Sequence, residues 1–223
     1  MKLQFLKNVL KVKLYAIWSA FLKIFGRIKI FPYPFFIVYN PKGYRLNEQD
    51  ELKILNTVQP GDVLIRGYVD FLDVYFIPGL FSHVGIYIGD GKVLHSMQDG
   101  VFEESIYRFL RCDMLVIARP NLNSEEISIV INNAKSFIGI PYDFSMNFDC
   151  NKRMSCTEFV ANSMITFHDK LGIDYMEKKL FFSKKIYHYI IPDNFFEYKG
   201  FQIIFQDSFS KTKKNFIKAK KDF

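Results

Sequence analysis

The sequence predicts a single α+β domain with short appendages, in which a small antiparallel sheet packs against helices. Three observations predict it. The chain has 223 residues, 49% of them hydrophobic and 24% charged. That composition suits one globular domain and excludes wholesale disorder, a collagen-like chain and a multi-span membrane protein. Residues 83–88 and 92–97 are two β-rich runs around Gly89-Asp90-Gly91, the clearest hairpin signal in the chain. Ser124-Glu125-Glu126 and Ser155-Cys156-Thr157-Glu158 read as helix starts.

In order along the chain, Lys2 to Arg27 places Leu3, Leu6, Leu10, Leu14, Ile17, Phe21 and Ile24 at helical spacing, with Gln4, Lys7, Asn8 and Lys11 opposite. This is a basic amphipathic helix. Its longest uncharged run, Leu14 to Leu22, is far short of the ~20 residues that span a bilayer. Residues 31–57 read as a connector followed by a short helix that Asn47 caps. Gln59-Pro60-Gly61-Asp62 forms a turn, and Val63-Leu64-Ile65 a buried strand. An apolar stretch from Tyr68 to Phe81 leads into the hairpin. Met114 to Ala118 is a strand, and a helix runs from Ser124 to about Phe137, stopped by Gly139 and Pro141. A short strand is expected over Tyr142 to Phe148, a helix over Ser155 to Phe167 and a last strand over Phe201 to Phe205. The main body of the domain is thus expected over 58–210, with a basic tail at 211–223.

Lys plus Arg number 30 against 23 acids, a formal charge of +7. The excess sits at the ends. Residues 1–30 hold seven basic residues and no acid, and 211–223 hold six lysines and Asp222, so 31–210 carries −5. This argues against nucleic acid as the partner and for an anionic membrane surface met by the first helix. A helix packed on the protein's own body is the alternative. A secretion signal is disfavoured, because no small-x-small cleavage site follows the apolar run. The expected location is membrane-associated or cytoplasmic.

Three cysteines, Cys112, Cys150 and Cys156, form no C-x-x-C pair and no complete four-cysteine zinc site. Cys156 opens a helix, where the N-terminus and a neighbouring imidazole are expected to lower its pKa and make it a nucleophile. His83 and His95 are candidates for the base and the residue that orients it, provided they share a face of the hairpin. A two-residue turn at Asp90-Gly91 would put them on opposite faces. A three-residue loop Gly89-Asp90-Gly91 would pair Ile88 with Lys92 and set His95 opposite Gly85, leaving the rings as diagonal neighbours. Gln98, Asp99 and Glu103 remain alternatives to His95. A zinc site built from Cys150, Cys156, His83 and His95 lacks local ligand spacing, so no metal and no cofactor are expected.

The run Ser82-His83-Val84-Gly85-Ile86-Tyr87-Ile88-Gly89-Asp90-Gly91-Lys92-Val93-Leu94-His95 resembles the signature of the NlpC-type papain-like superfamily. The helix-opening cysteine follows this hairpin rather than preceding it, an order similar to the circularly permuted YiiX/YebB-like branch and the related lecithin:retinol acyltransferase-like proteins. Gln59-Pro60-Gly61-Asp62, Gly139-Ile140-Pro141-Tyr142-Asp143 and Pro192-Asp193 also look like YiiX-like elements. The resemblance implies a circularly permuted papain-like (NlpC-type) fold with the nucleophile helix packed on the sheet. It also implies Cys156 as nucleophile, His83 as general base and acid, and His95 as orienting residue. Many YiiX-like proteins carry glutamate at the third position, and histidine there is more like the acyltransferase-like branch. Tyr142 is a candidate for substrate or oxyanion support. The expected function is cleavage of an amide or ester in a peptide, amide or acyl-lipid substrate through an acyl-enzyme, by hydrolysis or acyl transfer. A catalytically inactive scaffold of the same fold is the alternative.

Overall fold

The computed structural model describes residues 2–25, 30–31, 36–37, 44–69, 79–144, 148, 152–179 and 186–211. Helix α1 (Lys2–Phe25) comes first, followed by the strand pair β1 (Ile30–Phe31) and β2 (Phe36–Ile37). Helix α2 (Glu48–Thr57) begins where the Asn47 side chain accepts the Asp50 N–H, with Glu48, Asp50 and Glu51 in the dipole-favoured first turn. Then come β3 (Val63–Gly67), β4 (His83–Gly89), β5 (Lys92–Met97), β6 (Gly100–Ser105), the single turn α3 (Ile106–Phe109) and β7 (Met114–Pro120). Helices α4 (Ser124–Ser136), α5 (Cys156–Ser163) and α6 (His168–Leu171) follow, then the pair β8 (Met176–Lys179) and β9 (Ile186–Tyr189), and β10 (Phe201–Gln206).

Six of these strands form one antiparallel sheet in the order β10-β7-β3-β4-β5-β6. Strand alternation divides its apolar side chains between two cores. Val63, Ile65, Val84, Ile86, Leu94 and Val116 pack with Val130 and Ala134 of α4 and Phe159 and Val160 of α5. Leu64, Val93, Leu115 and Ile117 face the other way, onto Ile54 of α2 and Ile106 and Phe109 of α3. Both faces are therefore covered, and β3 is buried along its whole length. Asp62 ties this core to its rim. Its carboxylate accepts from Arg119 Nε and Nη2, each at 2.8 Å, and from the Gln59 N–H.

The hairpin differs from the expected loop. Its turn has two residues: Gly89 pairs with Lys92, and Asp90 and Gly91 both have positive φ, 51° and 70°. That is the backbone twist tight hairpins favour. A register shift between Tyr87 and Gly89 then absorbs Ile88 as a bulge, so Tyr87 faces Val93 and Gly85 faces His95. The histidines share a face because the bulge restores the parity the turn would have broken. A bulge leaves no mark in hydrophobic alternation this short, which is why the spacing alone points to the longer loop.

Other differences are local. Tyr142 and Asp143 form no strand, since the neighbouring backbone is bonded elsewhere: Ile140 C=O accepts from Val101 N–H, and Pro141 C=O from Met154 N–H. Residues 145–147 of that expectation lie outside the described residues. The helix expected to reach Phe167 ends at Ser163 and continues as a 3-10 turn, Ile165–Phe167, before α6. The His168 ring meets the Ala161 carbonyl at 2.8 Å at this helix end. Strand β6, with the sequence GVFEES, was not expected.

Gly85 has no room for a side chain. A Cβ there would stand 2.9 Å from Val93 Cγ1 and 3.0 Å from His95 Cβ. Gly85→Ala is expected to cost about 1–3 kcal/mol in urea unfolding. Unchanged stability would mean that the hairpin yields at this point.

Candidate active site

Strands β4 and β5 present the two histidines. His83 and Gly85 lie on one face of β4, and His95, opposite Gly85, lies on the same face of β5. The rings meet edge to face with His83 Nε2 and His95 Nδ1 2.8 Å apart, and both are buried. Phe102 and Phe109 pack against His95, with ring centroids at 4.5 and 5.4 Å. Arg66 of β3, opposite His83, completes this floor. Its Nη1 donates to Phe109 C=O at 3.1 Å, its Nη2 stands 3.1 Å from Met97 Sδ, and its guanidinium lies 4.2 Å from the Phe109 ring centre.

Cys156 arrives from the other side. Helix α5 packs on the face opposite the histidines, so its first residue can meet them only at the edge of the β4–β5 pairing. The register supplies that edge. Pairing stops at Gly85 opposite His95, and the N–H of Val84, the next residue toward the strand start, is turned to the Cys156 sulfur. The sulfur therefore sits beside the backbone adjoining His83. A capping box holds the helix start in place: Ser155 Oγ accepts from Glu158 N–H, and Glu158 Oε2 accepts from Ser155 N–H at 2.6 Å. Ser96 Oγ donates to Met154 C=O at 2.6 Å and ties the approaching loop to β5.

Burial sets the protonation of the site. It pushes the Cys156 thiol up to about 11, outweighing the N–H groups of Val84, Thr157 and Cys156 that favour thiolate. The low-pKa thiol expected from the sequence is thus reversed, because the helix start lies inside the core. Burial, followed by the Arg66 charge, holds His95 down at about 3. His83 is held well below the ordinary histidine value by burial, Arg66 and His95, in that order. Burial thus disfavours the charged form of the thiol and of both imidazoles.

The remaining sequence candidates are placed as follows. Tyr142 is half-buried in the segment bonded to Met154, and its carbonyl accepts from Tyr15 OH at 3.0 Å. Glu103 is spent on a surface pair with Lys92 at 2.9 Å, and Asp99 is exposed. Cys112 is buried beneath β7, Cys150 lies outside the described residues, and His188 stands 3.4 Å from Glu177. Arg66 and Glu104 were missed. Had Gly100–Ser105 been recognised as the strand returning from β5, its alternation would have put Phe102 and Glu104 on the histidine face.

A sequence profile of the permuted papain-like amidases of the YaeF/YiiX group, the C92 family, matches residues 57–214. The chain belongs to this family. It is accordingly an enzyme of the cysteine-hydrolase type, and its fold is the permuted papain-like one. Among solved structures, one described as the metalloprotein YiiX from Escherichia coli O157:H7 is similar in fold, with a TM-score of 0.55 and 16% identity. The match covers 68% of this chain and 98% of that one. No curated protein matches the sequence.

Burial raises the Glu158 carboxyl to about 7, against the Ser155 bonds that lower it. A carboxyl raised on folding favours the folded state below its unfolded value, and that contribution is lost as pH rises from about 4.5 toward 7. Glu158→Gln is expected to remove this component, on the order of 2–3 kcal/mol, from the difference between unfolding free energies at pH 4.5 and pH 7.5. Identical pH dependence in the two proteins would place the Glu158 carboxyl in contact with solvent.

Proposed function

We propose that the chain cleaves amide bonds with Cys156 as nucleophile, His83 as general base and acid, and His95 as the residue that orients His83. The observation that carries this reading is the 2.8 Å contact between the two histidines, together with the Val84 N–H, next to His83, turned to the Cys156 sulfur. Because the groups rest neutral, the proton moves as the bond forms. His83 takes the thiol proton at Nδ1 while sulfur attacks the carbonyl carbon, giving a tetrahedral oxyanion. The backbone N–H groups of Cys156 and Thr157 at the helix start are suited to receive that negative charge. On collapse the C–N bond breaks and His83 returns the proton to the leaving amine, a transfer favoured by the low basicity of a buried imidazole. Water, or another acyl acceptor, resolves the thioester with His83 again acting as base.

The word metalloprotein belongs to the YiiX structure. In this chain, among the described residues, no group of three His, Cys, Asp or Glu side chains converges as a metal site would require. The two rings are turned to each other instead, so no step is routed through a metal.

A lipid or lipid-modified substrate is the second part of the proposal, supported by α1. No helix among the described residues is long and apolar enough to cross a membrane. The helix meets the body along one edge: Tyr15 OH bonds Tyr142 C=O and the Phe144 N–H, and the Arg153 guanidinium lies 3.9 Å from the Tyr15 ring centre. Leu10, Leu14, Ile17, Trp18 and Phe21 are each at least half exposed on the other side. Lys11 and Lys13 border this stripe, the arrangement of a helix lying in a lipid interface.

Three outcomes are expected. Cys156→Ala abolishes the burst of p-nitrophenolate from p-nitrophenyl acetate and the hydrolysis of peptide and acyl amides, and retention of both would sink the nucleophile assignment. The wild-type burst rate shows no inflection near pH 6.5, since His83 titrates well below that value; a bell centred on a thiolate–imidazolium pair would contradict the neutral resting state. Full-length protein floats with vesicles containing phosphatidylserine, and Ile17→Asp with Phe21→Asp abolishes flotation; equal flotation by both proteins would remove the lipid-surface argument.

A further inference from the structure

We infer that Glu104 is a positioning residue that selects the tautomer of His95, and through it the nitrogen with which His83 acts. The inference rests on the catalytic reading above and extends it by one residue. A neutral imidazole has one N–H and one lone pair. For His83 Nδ1 to take the Cys156 proton, the hydrogen of resting His83 must be on Nε2, which then donates to His95 Nδ1 across the 2.8 Å contact. His95 Nδ1 must therefore be the acceptor, and the His95 hydrogen must be on Nε2. The opposite tautomer of His95 would donate to His83 Nε2, place the His83 hydrogen on Nδ1 and leave no base facing the thiol.

That logic requires an acceptor at His95 Nε2, a buried atom with no hydrogen-bond partner among the described residues. The nearest charged oxygen is Glu104 Oε2, 3.5 Å away on a largely buried side chain. A carboxylate accepts and does not donate, so it suits only the Nε2–H form. Its neighbour makes the choice matter. Arg66, a donor only, has its own Nε unpartnered, lies close enough to depress His95, and stands with Nη1 3.7 Å from the same Glu104 oxygen. Without Glu104 the guanidinium is left as the polar group on that side, and it favours a lone pair at Nε2, the unproductive tautomer. Arg108 Nε, 3.4 Å from Glu104 Oε1, holds the other carboxylate oxygen on the exposed side. Glu104 thus stands between a cation and an imidazole, satisfying one and orienting the other.

The test reads the tautomer directly. In protein labelled with 15N at histidine, His95 of wild type is expected to show the Nε2–H pattern, and Glu104→Gln, whose amide oxygen still accepts, the same pattern. Glu104→Met, similar in volume and without an accepting oxygen, is expected to shift His95 toward Nδ1–H. The p-nitrophenyl acetate burst constant at saturation is expected to fall by about tenfold or more in E104M and to recover to within about threefold of wild type in E104Q, with KM little changed. Glu104→Ala serves as a second non-accepting variant should E104M fold poorly. An Nε2–H pattern retained in the non-accepting variants, or a burst as slow in E104Q as in E104M, overturns the inference. If wild type itself gives no Cys156-dependent burst, the catalytic reading fails instead, and the His95 tautomer in the resting protein still decides the role of Glu104.

Discussion

Everything at the site depends on the register of one hairpin. A shift of one residue between β4 and β5 would turn His95 to the face covered by α4 and α5, away from His83 and out of reach of Arg66 and Glu104. The bulge at Ile88 sets that register and the turn at Asp90-Gly91 does not, while the absent side chain at Gly85 leaves room for the His95 Cβ opposite it. The same register ends the pairing at Gly85. That end leaves the Val84 N–H for a sulfur from the opposite side of the sheet.

Burial is the second organising effect, and its size decides between two kinds of chemistry. Three backbone N–H groups around the Cys156 sulfur favour thiolate, and a helix start adds its dipole, yet desolvation outweighs them. The histidines obey the same rule in the opposite direction. Burial thus works against charge on each of these groups, so the orientation of each proton carries weight beside its affinity. Hydrogen-bond direction then passes from ring to ring, and the groups bordering the last ring gain influence over the first. That is why a glutamate with no contact to the nucleophile belongs in the account.

The charge distribution follows the same division between body and ends. The acidic body places its carboxylates in specific pairs and caps, as with Asp62 on Arg119, Asp113 on the Arg45 and Val69 N–H groups, and Asp193 on the Leu80 and Phe81 N–H groups just before His83. The basic excess lies in the terminal segments, and α1 turns its apolar stripe away from the body while Tyr15 holds the opposite edge. Net charge alone would have described neither half.

Much was legible in the sequence because the signals are local. The caps at Asn47 and at Ser155, the helix after Ser124 and the hairpin at 83–97 depend on residues within a few positions of one another. The permuted order of hairpin and cysteine gave the family, since order along a chain needs no structure to be seen. What tertiary structure alone decided is non-local. Beside the Ile88 bulge, the backbone of Gly61 and Asp62, just before β3, clasps Tyr87. Strand β6, too polar to declare itself, forms because β5 offers it an edge, and only then does Glu104 reach His95. The thiol's pKa follows the same rule. A helix start lowers it in isolation, and the depth at which that start is buried, which no nearby residue specifies, raises it.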